Sequence, residues 1–402
     1  MSLVVQKFGG SSVANAERLF NVASRVIETY DNGNDVVVVV SAQGDTTDDL
    51  IEKALEVNDR ASKREMDVLL SSGEQISMSL LAMAIQKLGR PVISLTGWQA
   101  GMITDSNHSK ARIHKVNTER IRRELDHRNI VIVAGFQGIN KYDDITTLGR
   151  GGSDTTAVAI AAALGADLCQ IYTDVTGVFT CDPRIVKEAK KLDTISYDEM
   201  LELATLGANV LHNRSVELAK KFNVNLEVLS SLVKEPGTIV KEETNMEKML
   251  VRGVARDNNV ARISLCGLDD APGKAFQVFS ILAKNKISVD IILQSIGRDD
   301  KKDISFTVDL DALDNALKVL EENNGVIGAE SIIHYDNVSK VSIVGAGMVS
   351  NPGVAATMFE ALYNADINIQ MISTSEMKIS VLIEKEYAEK AVRVIHEKFH
   401  LG

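Results

Sequence analysis

The sequence is poor in cysteine, and the few cysteines that it has argue against two kinds of site. Cys169, Cys181 and Cys266 are the only 3 cysteines among 402 residues, and no two of them form a CxxC pair. An odd, scattered set of this kind predicts neither a disulfide framework nor a structural zinc site, and it is typical of a reducing compartment. The 7 histidines form no Cys/His cluster, so we expect no transition metal held by protein side chains.

Acidic residues outnumber basic ones, 55 to 44, and long apolar runs are missing. The formal net charge is −11, which argues against nucleic-acid binding because that function needs a basic face. The start, MSLVVQKFGG, lacks the basic segment and apolar core of a signal peptide, and no apolar run approaches the roughly 20 residues of a membrane span. We therefore expect a cytoplasmic protein without a membrane partner. Its 402 residues predict two to three domains.

The most informative stretch that the sequence does contain is 146–157, TTLGRGGSDTTA, between an apolar segment and a run of small residues. Gly149, Gly151 and Gly152 allow the backbone to approach a ligand closely. A helix that begins near Ser153 would point free N–H groups at an anion. Arg150 adds a planar, permanently charged group suited to a carboxylate or a phosphate. The stretch therefore predicts an anion-binding loop.

A purely structural interpretation of this loop stays open. Ser153 or Asp154 would then be the N-cap of a buried helix, and the loop would be a capped turn. Capping accounts for Ser153, but it does not account for an arginine among three glycines.

Several predicted strands end in polar loops. Strand 3–6 is followed by Lys7, Gly9, Gly10 and Ser11, and a helix is predicted over 13–28. The loop is no Walker motif, since its lysine precedes the glycines, but Lys7 and the loop N–H groups can grip phosphate oxygens. Further strands are predicted at 35–40, 91–95, 130–134, 167–172 and 224–229. Further helices are predicted at 65–88, 112–126 and 197–222, and a hydroxyl-rich turn at 41–48 opens another helix that runs to about residue 58.

The alternation of strands and helices predicts an α/β fold with a mainly parallel sheet. Parallel strands present their carboxyl ends at one edge, so we expect the loops after 3–6, 35–40 and 167–172 to face one crevice. No histidine or cysteine cluster in this part can carry nucleophilic catalysis. Phosphoryl transfer fits the inventory best, because it needs positioning and charge neutralisation, which Lys7, Arg150 and a nucleotide-bound Mg²⁺ would supply.

The region after about residue 245 repeats itself. Residues 263–267, 272–273 and 287–289 parallel 341–345, 352–353 and 367–369, and each half adds a further strand and helix. This order predicts two ferredoxin-like βαββαβ units. A strand-like segment at 250–255 precedes the first unit, and its pairing with the second unit would make the two interleave.

Taken together and in order, these motifs resemble the aspartokinase family, in its monofunctional type with paired C-terminal ACT regulatory domains. The resemblance rests on KFGGS from Lys7, SAQGDTTD from Ser41, GE at 73–74, GFQG from Gly135, GRGGSDTTA from Gly149 and TDVTGVFTCDPR from Thr173. It covers essentially the whole chain. It implies an amino-acid-kinase-like sandwich at 1–240, a first ACT unit at 241–335 and a second at 336–402.

The resemblance also implies an activity. The enzyme would transfer the γ-phosphoryl group of ATP, with Mg²⁺, to the side-chain carboxylate of L-aspartate and give 4-phospho-L-aspartate. This is the first step of lysine, threonine and methionine biosynthesis. Lysine, threonine or both would act as feedback effectors at the ACT units, which would also join chains into a homodimer or a higher oligomer.

Site residues carry over position by position. Lys7 would contact the transferring phosphoryl group, Asp154 would orient Lys7, Glu74 would pair with the substrate ammonium and Arg150 with its α-carboxylate. The remaining residues fall into three sets. The substrate set adds Ser41, Thr47, Phe136 and Ser153; the ATP set is Gly9, Gly10, Ser11, Thr173, Asp174, Phe179, Asp182 and Arg184; the effector set is Asp270, Pro272, Gly273, Gln294, Asn368 and Ile369.

Two positions depart from the family pattern. Asn209 stands where many members have a lysine near the nucleotide phosphates, which puts that contact in doubt. Phe179 stands where a tyrosine is frequent, so a hydroxyl is lost while a stacking face remains.

Three alternatives stay open. A related kinase would use another carboxylate, such as a glutamate 5-kinase-like enzyme. A non-catalytic sensor would bind only lysine or threonine, although such a protein has no use for Lys7, Arg150 and Asp154 together. An internal start at Met246 or Met249 would in addition give a separate regulatory subunit.

Overall fold

A computed structural model describes residues 2–207, 210–242, 250–295, 297, 300–346, 348 and 351–402. The chain forms two compact units. The first comprises Met1–Phe179, Lys191–Thr205 and Asn209–Met246, and the second comprises Thr180–Lys190, Leu206–Ala208 and Glu247–Gly402. The three-part division predicted from sequence stays a prediction. Asn209, Met246 and Met249 lie outside the described residues.

The first unit is built on a large sheet with strand order β10-β12-β11-β9-β1-β2-β6-β3, in which only the β11–β12 pair is antiparallel. A small sheet has the order β5-β4-β7-β8. The strands are β1 Leu3–Phe8, β2 Asp35–Val40, β3 Val92–Leu95, β4 Met102–Thr104, β5 Ile113–Val116, β6 Ile130–Ala134, β7 Gln137–Ile139, β8 Ile145–Thr147, β9 Leu168–Thr173, β10 Thr194–Ser196, β11 Leu226–Ser230 and β12 Thr238–Lys241.

Helices cover the central strands of the large sheet. The valines of β2 at 36–40 are all fully buried, as expected of a strand with side chains packed on both faces. Each contributes on the order of 2 kcal/mol of hydrophobic stabilisation. The helices are α1 Ala16–Asp31, α2 Thr46–Val57, α3 Lys63–Lys87, α4 Glu119–Asp126, α5 Gly152–Leu164, α6 Tyr197–Thr205 and α7 Asn213–Phe222.

Two helices predicted from sequence were wrong in extent. The predicted helix at 112–126 is strand β5 followed by helix α4, because the first residues pair with β4 and the chain turns at Asn117 and Thr118. The predicted helix at 197–222 is two helices, α6 and α7. Gly207 lies just beyond α6, where a residue of low helix propensity favours an end to the helix.

Helix α3 is more apolar than the sequence pattern indicated. Among the described residues it is the one helix that is long and apolar enough to cross a membrane by length and composition. Half of the relevant window is buried inside the protein, and Asp67 and Glu74 are buried within the same helix. A buried core helix meets the same criteria of length and apolar composition, so these criteria are only weak evidence that α3 spans a membrane.

The second unit contains the repeat. Its sheets have the orders β15-β16-β14-β17 and β13-β18-β20-β19, and all their pairs are antiparallel. The elements are β13 Gly253–Asp257, β14 Ala261–Asp269, α8 Lys274–Lys284, β15 Ile292–Gln294, β16 Lys301–Val308, α9 Leu313–Glu322, α10 Asn324–Ile327, β17 Ser331–Tyr335, β18 Val338–Val344, α11 Val354–Asn364, β19 Met371–Thr374, β20 Lys378–Glu384 and α12 Ala388–Lys398.

The two repeats interleave through strand β13. This strand precedes the first repeat in sequence, yet it pairs with β18 of the second, from Gly253 opposite Val344 to Asp257 opposite Lys340. The first repeat is closed by its own strand β17 on β14. Each sheet therefore has the same strand arrangement. The sheet of the second repeat, however, takes its fourth strand, β13, from the chain that precedes the first repeat.

The segment Thr180–Lys190 is part of the second unit's core, although the chain on both sides of it belongs to the first. Cys181 and Val186 join the cluster formed by residues of β13, β18, β20 and α12. The Thr180 hydroxyl lies 2.9 Å from Nε2 of His396, a residue that is 2% exposed. Burial lowers the pKa of His396 below its usual value.

Candidate active site

The polar loops of the first unit meet at the carboxyl edge of the large sheet. Strands β9, β1, β2 and β6 are neighbours and parallel, so the loops that follow them lie side by side. Backbone hydrogen bonds tie these ends together. The Ser41 N–H donates to the Phe8 carbonyl at 3.1 Å, and the Gly135 N–H donates to the Val40 carbonyl at 3.0 Å. Ligands of open α/β sheets bind at this edge.

A lysine and an aspartate form an ion pair at its centre. The Nζ of Lys7, near the end of β1, lies 2.6 Å from Oδ1 of Asp154, in the first turn of α5. Their side chains are 12% and 11% exposed, so solvent screens the pair far less than it screens a surface pair. The ammonium is held in place and still reachable from the crevice.

The glycine loop after β1 lies directly beside this pair. A Cβ at Gly9 would stand 3.5 Å from the Lys7 ammonium. A Cβ at Gly10 would stand 2.6 Å from the carbonyl oxygen of Ala42, so a side chain there would separate the loops after β1 and β2. Ser11 is exposed at the start of the following short helix. The arrangement leaves room for a bulky anion next to Lys7.

Glu74 supplies a buried carboxyl group to the same edge. Its side chain is 4% exposed, and its Oε1 accepts a hydrogen bond of 3.1 Å from the Ala42 N–H. Its Oε2 is buried without a hydrogen-bond partner among the described residues. Burial raises the pKa of Glu74 to about 7, although the Ala42 N–H favours the ionised form. A cation that reached Oε2 would stabilise the carboxylate.

The glycine-arginine loop leads into helix α5. Gly151, with φ of 68°, is the residue that caps the helix, so the interpretation of Ser153 or Asp154 as the N-cap was wrong. Both lie inside the first turn, where their N–H groups face the helix start. Arg150 is exposed, and none of the described residues pairs with its guanidinium group.

Phe136 has an unusual backbone conformation next to this helix. Its φ of 67° is uncommon for a residue other than glycine. Two hydrogen bonds hold it: its N–H donates to the Thr156 hydroxyl at 3.1 Å, and its carbonyl accepts from the Leu148 N–H at 2.9 Å. Strained residues of this kind cluster at functional sites. Ser153, which is 7% exposed, lies close to the neighbouring Gly135.

The remaining predicted residues fall in several places. Ser41 begins the loop after β2, and Thr47 is half-buried in the first turn of α2. Thr173 ends β9, and its hydroxyl donates to the exposed Asp174 at 3.0 Å. Phe179 is half-buried and forms an antiparallel bridge with Lys191. All five lie in the first unit.

Asp182 and Arg184, also predicted to line the ATP site, belong to the second unit. They form an ion pair with each other at 2.8 Å. The hydrogen bond from Arg184 keeps the pKa of Asp182 below its usual value. Their nucleotide contact stays a prediction.

The predicted effector residues lie in both repeats of the second unit. Asp270, Pro272 and Gly273 precede helix α8, and Gln294 ends the exposed edge strand β15. Asn368 is exposed and Ile369 is half-buried, and both precede β19. Asp270 pairs with Lys302 at 3.0 Å.

The sequence patterns missed two charged side chains that hold the site together. Asp67 is fully buried in α3, seven residues before Glu74 and therefore on the same face of the helix. Arg214, in the first turn of α7, donates hydrogen bonds to the carbonyls of Leu148 and Ala111. A charged residue inside an otherwise apolar helical stretch is the one signal that could have singled out Asp67. Among the described residues, no group of three His, Cys, Asp or Glu side chains is arranged to hold a metal ion.

Comparisons with known proteins agree with this geometry. Residues 2–230 match the amino acid kinase family, and residues 263–323 and 341–399 match the ACT domain. An aspartokinase of Bacillus sp. (strain MGA3) is 53% identical over 403 residues, which cover 100% of this chain and 98% of that protein. Aspartokinase 2 of Bacillus subtilis (strain 168) is 52% identical over 403 residues, again covering 100% and 98%.

Solved structures show the same similarity. E. coli aspartokinase III in complex with aspartate and ADP, in its R-state, has a TM-score of 0.84 at 27% identity, covering 98% of this chain and 99% of that one. The same enzyme with lysine and aspartate, in its T-state, has a TM-score of 0.76 at 26% identity, covering 99% of each. This chain therefore belongs to the aspartokinase family: it is an aspartate kinase of the amino acid kinase fold that carries ACT domains.

Proposed function

We propose that this kinase transfers the γ-phosphoryl group of ATP to the side-chain carboxylate of L-aspartate. A carboxylate oxygen attacks the γ-phosphorus, the bond from that phosphorus to the bridging oxygen breaks, and ADP leaves with 4-phospho-L-aspartate as the product. The attacking carboxylate is already ionised at neutral pH, so no general base is needed. The observation that carries the proposal is the Lys7–Asp154 pair of 2.6 Å, placed at the carboxyl edge of the sheet among the polar loops.

Lys7 has the central role in this proposal. Its ammonium neutralises charge on the transferring phosphoryl group, and Asp154 keeps the ammonium directed at that group. Gly9, Gly10 and Ser11 approach the phosphates from the loop beside it.

Two groups distinguish the ends of aspartate. Glu74 receives the substrate ammonium, which satisfies the buried Oε2 and converts a costly carboxylate into an ion pair. Arg150 binds the α-carboxylate with its two-pronged guanidinium group. The substrate contacts are completed by Ser41 and Thr47 after β2, Phe136 after β6 and Ser153 after β8.

The nucleotide binds beside Thr173, Asp174 and Phe179 at the end of β9. Mg²⁺ would enter with ATP, and the exposed carboxylate of Asp174 at this edge would be able to hold it. When bound, Mg²⁺ supplies further neutralisation of the phosphate charge. The ring of Phe179 offers a face for stacking.

Regulation resides in the ACT units. We assign lysine, threonine or both as feedback effectors at the two repeats, in keeping with the lysine complex of E. coli aspartokinase III. Feedback of this kind suits an early step of lysine, threonine and methionine biosynthesis in the cytoplasm. The exposed edge strands β15 and β19 can pair across chains, which favours a homodimer or a higher oligomer.

The activity test uses ATP, magnesium and an acceptor, with hydroxylamine to trap the acyl phosphate. We expect hydroxamate with L-aspartate and none above background with L-glutamate. Product from glutamate alone would identify a different amino-acid kinase. Binding of lysine or threonine without any binding of MgATP would instead identify a sensor.

The effector test measures initial rates with lysine and threonine, singly and combined. At least one of these conditions should inhibit. Full activity under all of them would remove the regulatory proposal and leave the catalytic one intact.

A further inference from the structure

The buried carboxylate of Asp67 joins two loops near the backbone that carries Arg150, the loop at 105–111 and the loop that follows β8. Asp67 has a side chain that is 0% exposed. Its two oxygens accept hydrogen bonds of 3.0 Å from the Ser109 N–H, and its Oδ1 accepts one of 2.6 Å from the Thr147 hydroxyl. The ring Nδ1 of His108 lies 2.9 Å from its Oδ2. Asp67 thus ties the loop at 105–111 to the end of β8, two residues before Gly149.

A positive side chain joins the same two loops from another helix. One guanidinium nitrogen of Arg214 donates to the Leu148 carbonyl at 2.6 Å, and another donates to the Ala111 carbonyl at 3.0 Å. Burial lowers the pKa of Arg214 from its usual value. The neighbouring His212 lies so close to Gly151 that a Cβ there would stand 2.2 Å from its ring. Helix α7 therefore packs its first residues against the glycine-arginine loop.

The pattern of these contacts differs from that of a structural ion pair. Asp67 and Arg214 have opposite charges, yet each is satisfied mainly by groups of the two loops. The loop that they hold contains two glycines in the left-handed region, Gly149 with φ of 80° and Gly151 with φ of 68°. Such a backbone has many alternatives when it is unrestrained. Its one cation, Arg150, is exposed and without a partner among the described residues.

We propose that Asp67 and Arg214 are positioning residues for Arg150, and that they set the preference for an acceptor that carries an α-carboxylate. This inference rests on the proposed role of Arg150 in binding that group. Asp67 and Arg214 touch no substrate; they hold the backbone on which the guanidinium group is carried. An arginine that binds a carboxylate through two parallel hydrogen bonds is sensitive to displacement, since both bonds depend on its orientation.

The test compares two ligands that differ by the α-carboxylate alone. L-Aspartate is measured by its KM, and β-alanine, which keeps the amine and the other carboxylate, is measured by its inhibition constant against aspartate. The ratio of the β-alanine constant to the aspartate constant reports recognition of the α-carboxylate. Arg150→Ala should lower this ratio by about a hundredfold, the loss of a charged bidentate contact. Asp67→Asn and Arg214→Gln should each lower it by about tenfold.

Three further results would distinguish a positioning role from general stabilisation of the fold. The KM for MgATP and the inhibition constant of β-alanine should stay within about twofold of the parent protein in both variants. Asp67→Asn should cause no further fall of the ratio when Arg150→Ala is already present, because the two act through one contact. Thr147→Val removes one hydrogen bond to Asp67 and no charge, so it should lower the ratio less than Asp67→Asn does. It replaces Asp67→Asn in the test if that variant does not fold.

Matched controls remove equivalent charges elsewhere in the first unit. Asp35→Asn breaks the pair with Arg128, and Arg90→Gln breaks the pair with Asp31; both should leave the ratio unchanged. If Arg150→Ala lowers the ratio while Asp67→Asn, Arg214→Gln and Thr147→Val do not, the positioning role is wrong and the proposed substrate site stands. If Arg150→Ala itself leaves the ratio unchanged, the assignment of Arg150 and the inference built on it are both overturned.

Discussion

Lys7 and Lys340, one in each unit, are both largely shielded from solvent but differ in their charged partners. Lys7 in the first unit has one carboxylate partner, Asp154, at 2.6 Å. Lys340 in the second unit has two, Asp290 at 2.6 Å and Asp257 at 3.4 Å. Two carboxylates around one ammonium give the Lys340 cluster a net charge of −1, which repels an anion, whereas the Lys7–Asp154 pair is neutral. We expect the number of carboxylate partners to distinguish a lysine that binds an anion from one that only stabilises the fold.

Sheet topology explains why the two lysines differ. Lys7 is the next-to-last residue of a central parallel strand, opposite Val39 and Ile171, and the loops after these parallel strands follow within a few residues. Lys340 lies within β18, between β13 and β20 of an antiparallel sheet. An antiparallel sheet alternates its strand directions and so collects no set of loops at one edge. The polar loops of the first unit therefore meet at one edge of its large sheet, whereas the antiparallel sheets of the second unit bring no such set of loops together.

The largest effect on kcat should follow from removing Lys7, and the same change at Lys340 serves for comparison. Lys7→Ala should lower kcat by at least about a hundredfold, because roughly 3 kcal/mol of charge stabilisation is lost from the transition state. Lys340→Ala should leave kcat within about twofold and lower the melting temperature, since it leaves two carboxylates unpaired. Rates and thermal denaturation curves of both variants check this. A comparable loss of kcat in Lys340→Ala would contradict the different roles assigned to the two lysines.

A smaller effect should follow from changing the buried carboxyl group of the substrate site. Glu74→Gln should raise the KM for aspartate by roughly thirtyfold, about 2 kcal/mol, because a neutral amide replaces a charged partner. Asp309→Asn removes a carboxyl group of the second unit whose pKa is also raised, by burial first, although Asp309 is more exposed than Glu74. It should leave that KM unchanged.

The pH dependence of aspartate binding sharpens this prediction. With a pKa of about 7 in the free enzyme, Glu74 is largely protonated at pH 6 and ionised at pH 8. The substrate ammonium prefers the ionised form, so the KM should fall as pH rises through 7, and binding near pH 7 should release protons. Calorimetry in buffers of different ionisation enthalpy measures this release. Proton release that persists in Glu74→Gln would assign it to another group.

The smallest effect concerns stability of the second unit. Burial lowers the pKa of His396, so its neutral form is favoured in the folded state. Its stabilising contribution is complete above the unfolded pKa of about 6.5 and declines as pH falls through the folded value. His396→Gln should cost about 1 kcal/mol at pH 7.5 and flatten the decline below pH 6.5. Urea unfolding across pH measures both, and an unchanged slope would contradict the assignment to His396.

Local patterns predicted the strand ends of the first unit well. The valine run of β2 and the glycine loops after β1 and β8 carry their signals within a few residues, so periodicity and turn chemistry locate them. The three-residue strands β4, β7, β8 and β10 were missed, since so short a strand is defined by its partner and not by its own sequence. Asp67 and Arg214 were missed for a related reason: their partners are groups 41 to 103 positions away in sequence.

The segment Thr180–Lys190 has a consequence for how this protein can be divided. A fragment that ended after β12 would keep Cys181 and Val186 but lose the strands and the helix against which they pack. A fragment that began at residue 250 would keep those elements and lack the two side chains. No single cut in the gene therefore yields two pieces with complete cores. Fusion partners, truncations and exchanges of the regulatory half need to carry residues 180–190 with the tail.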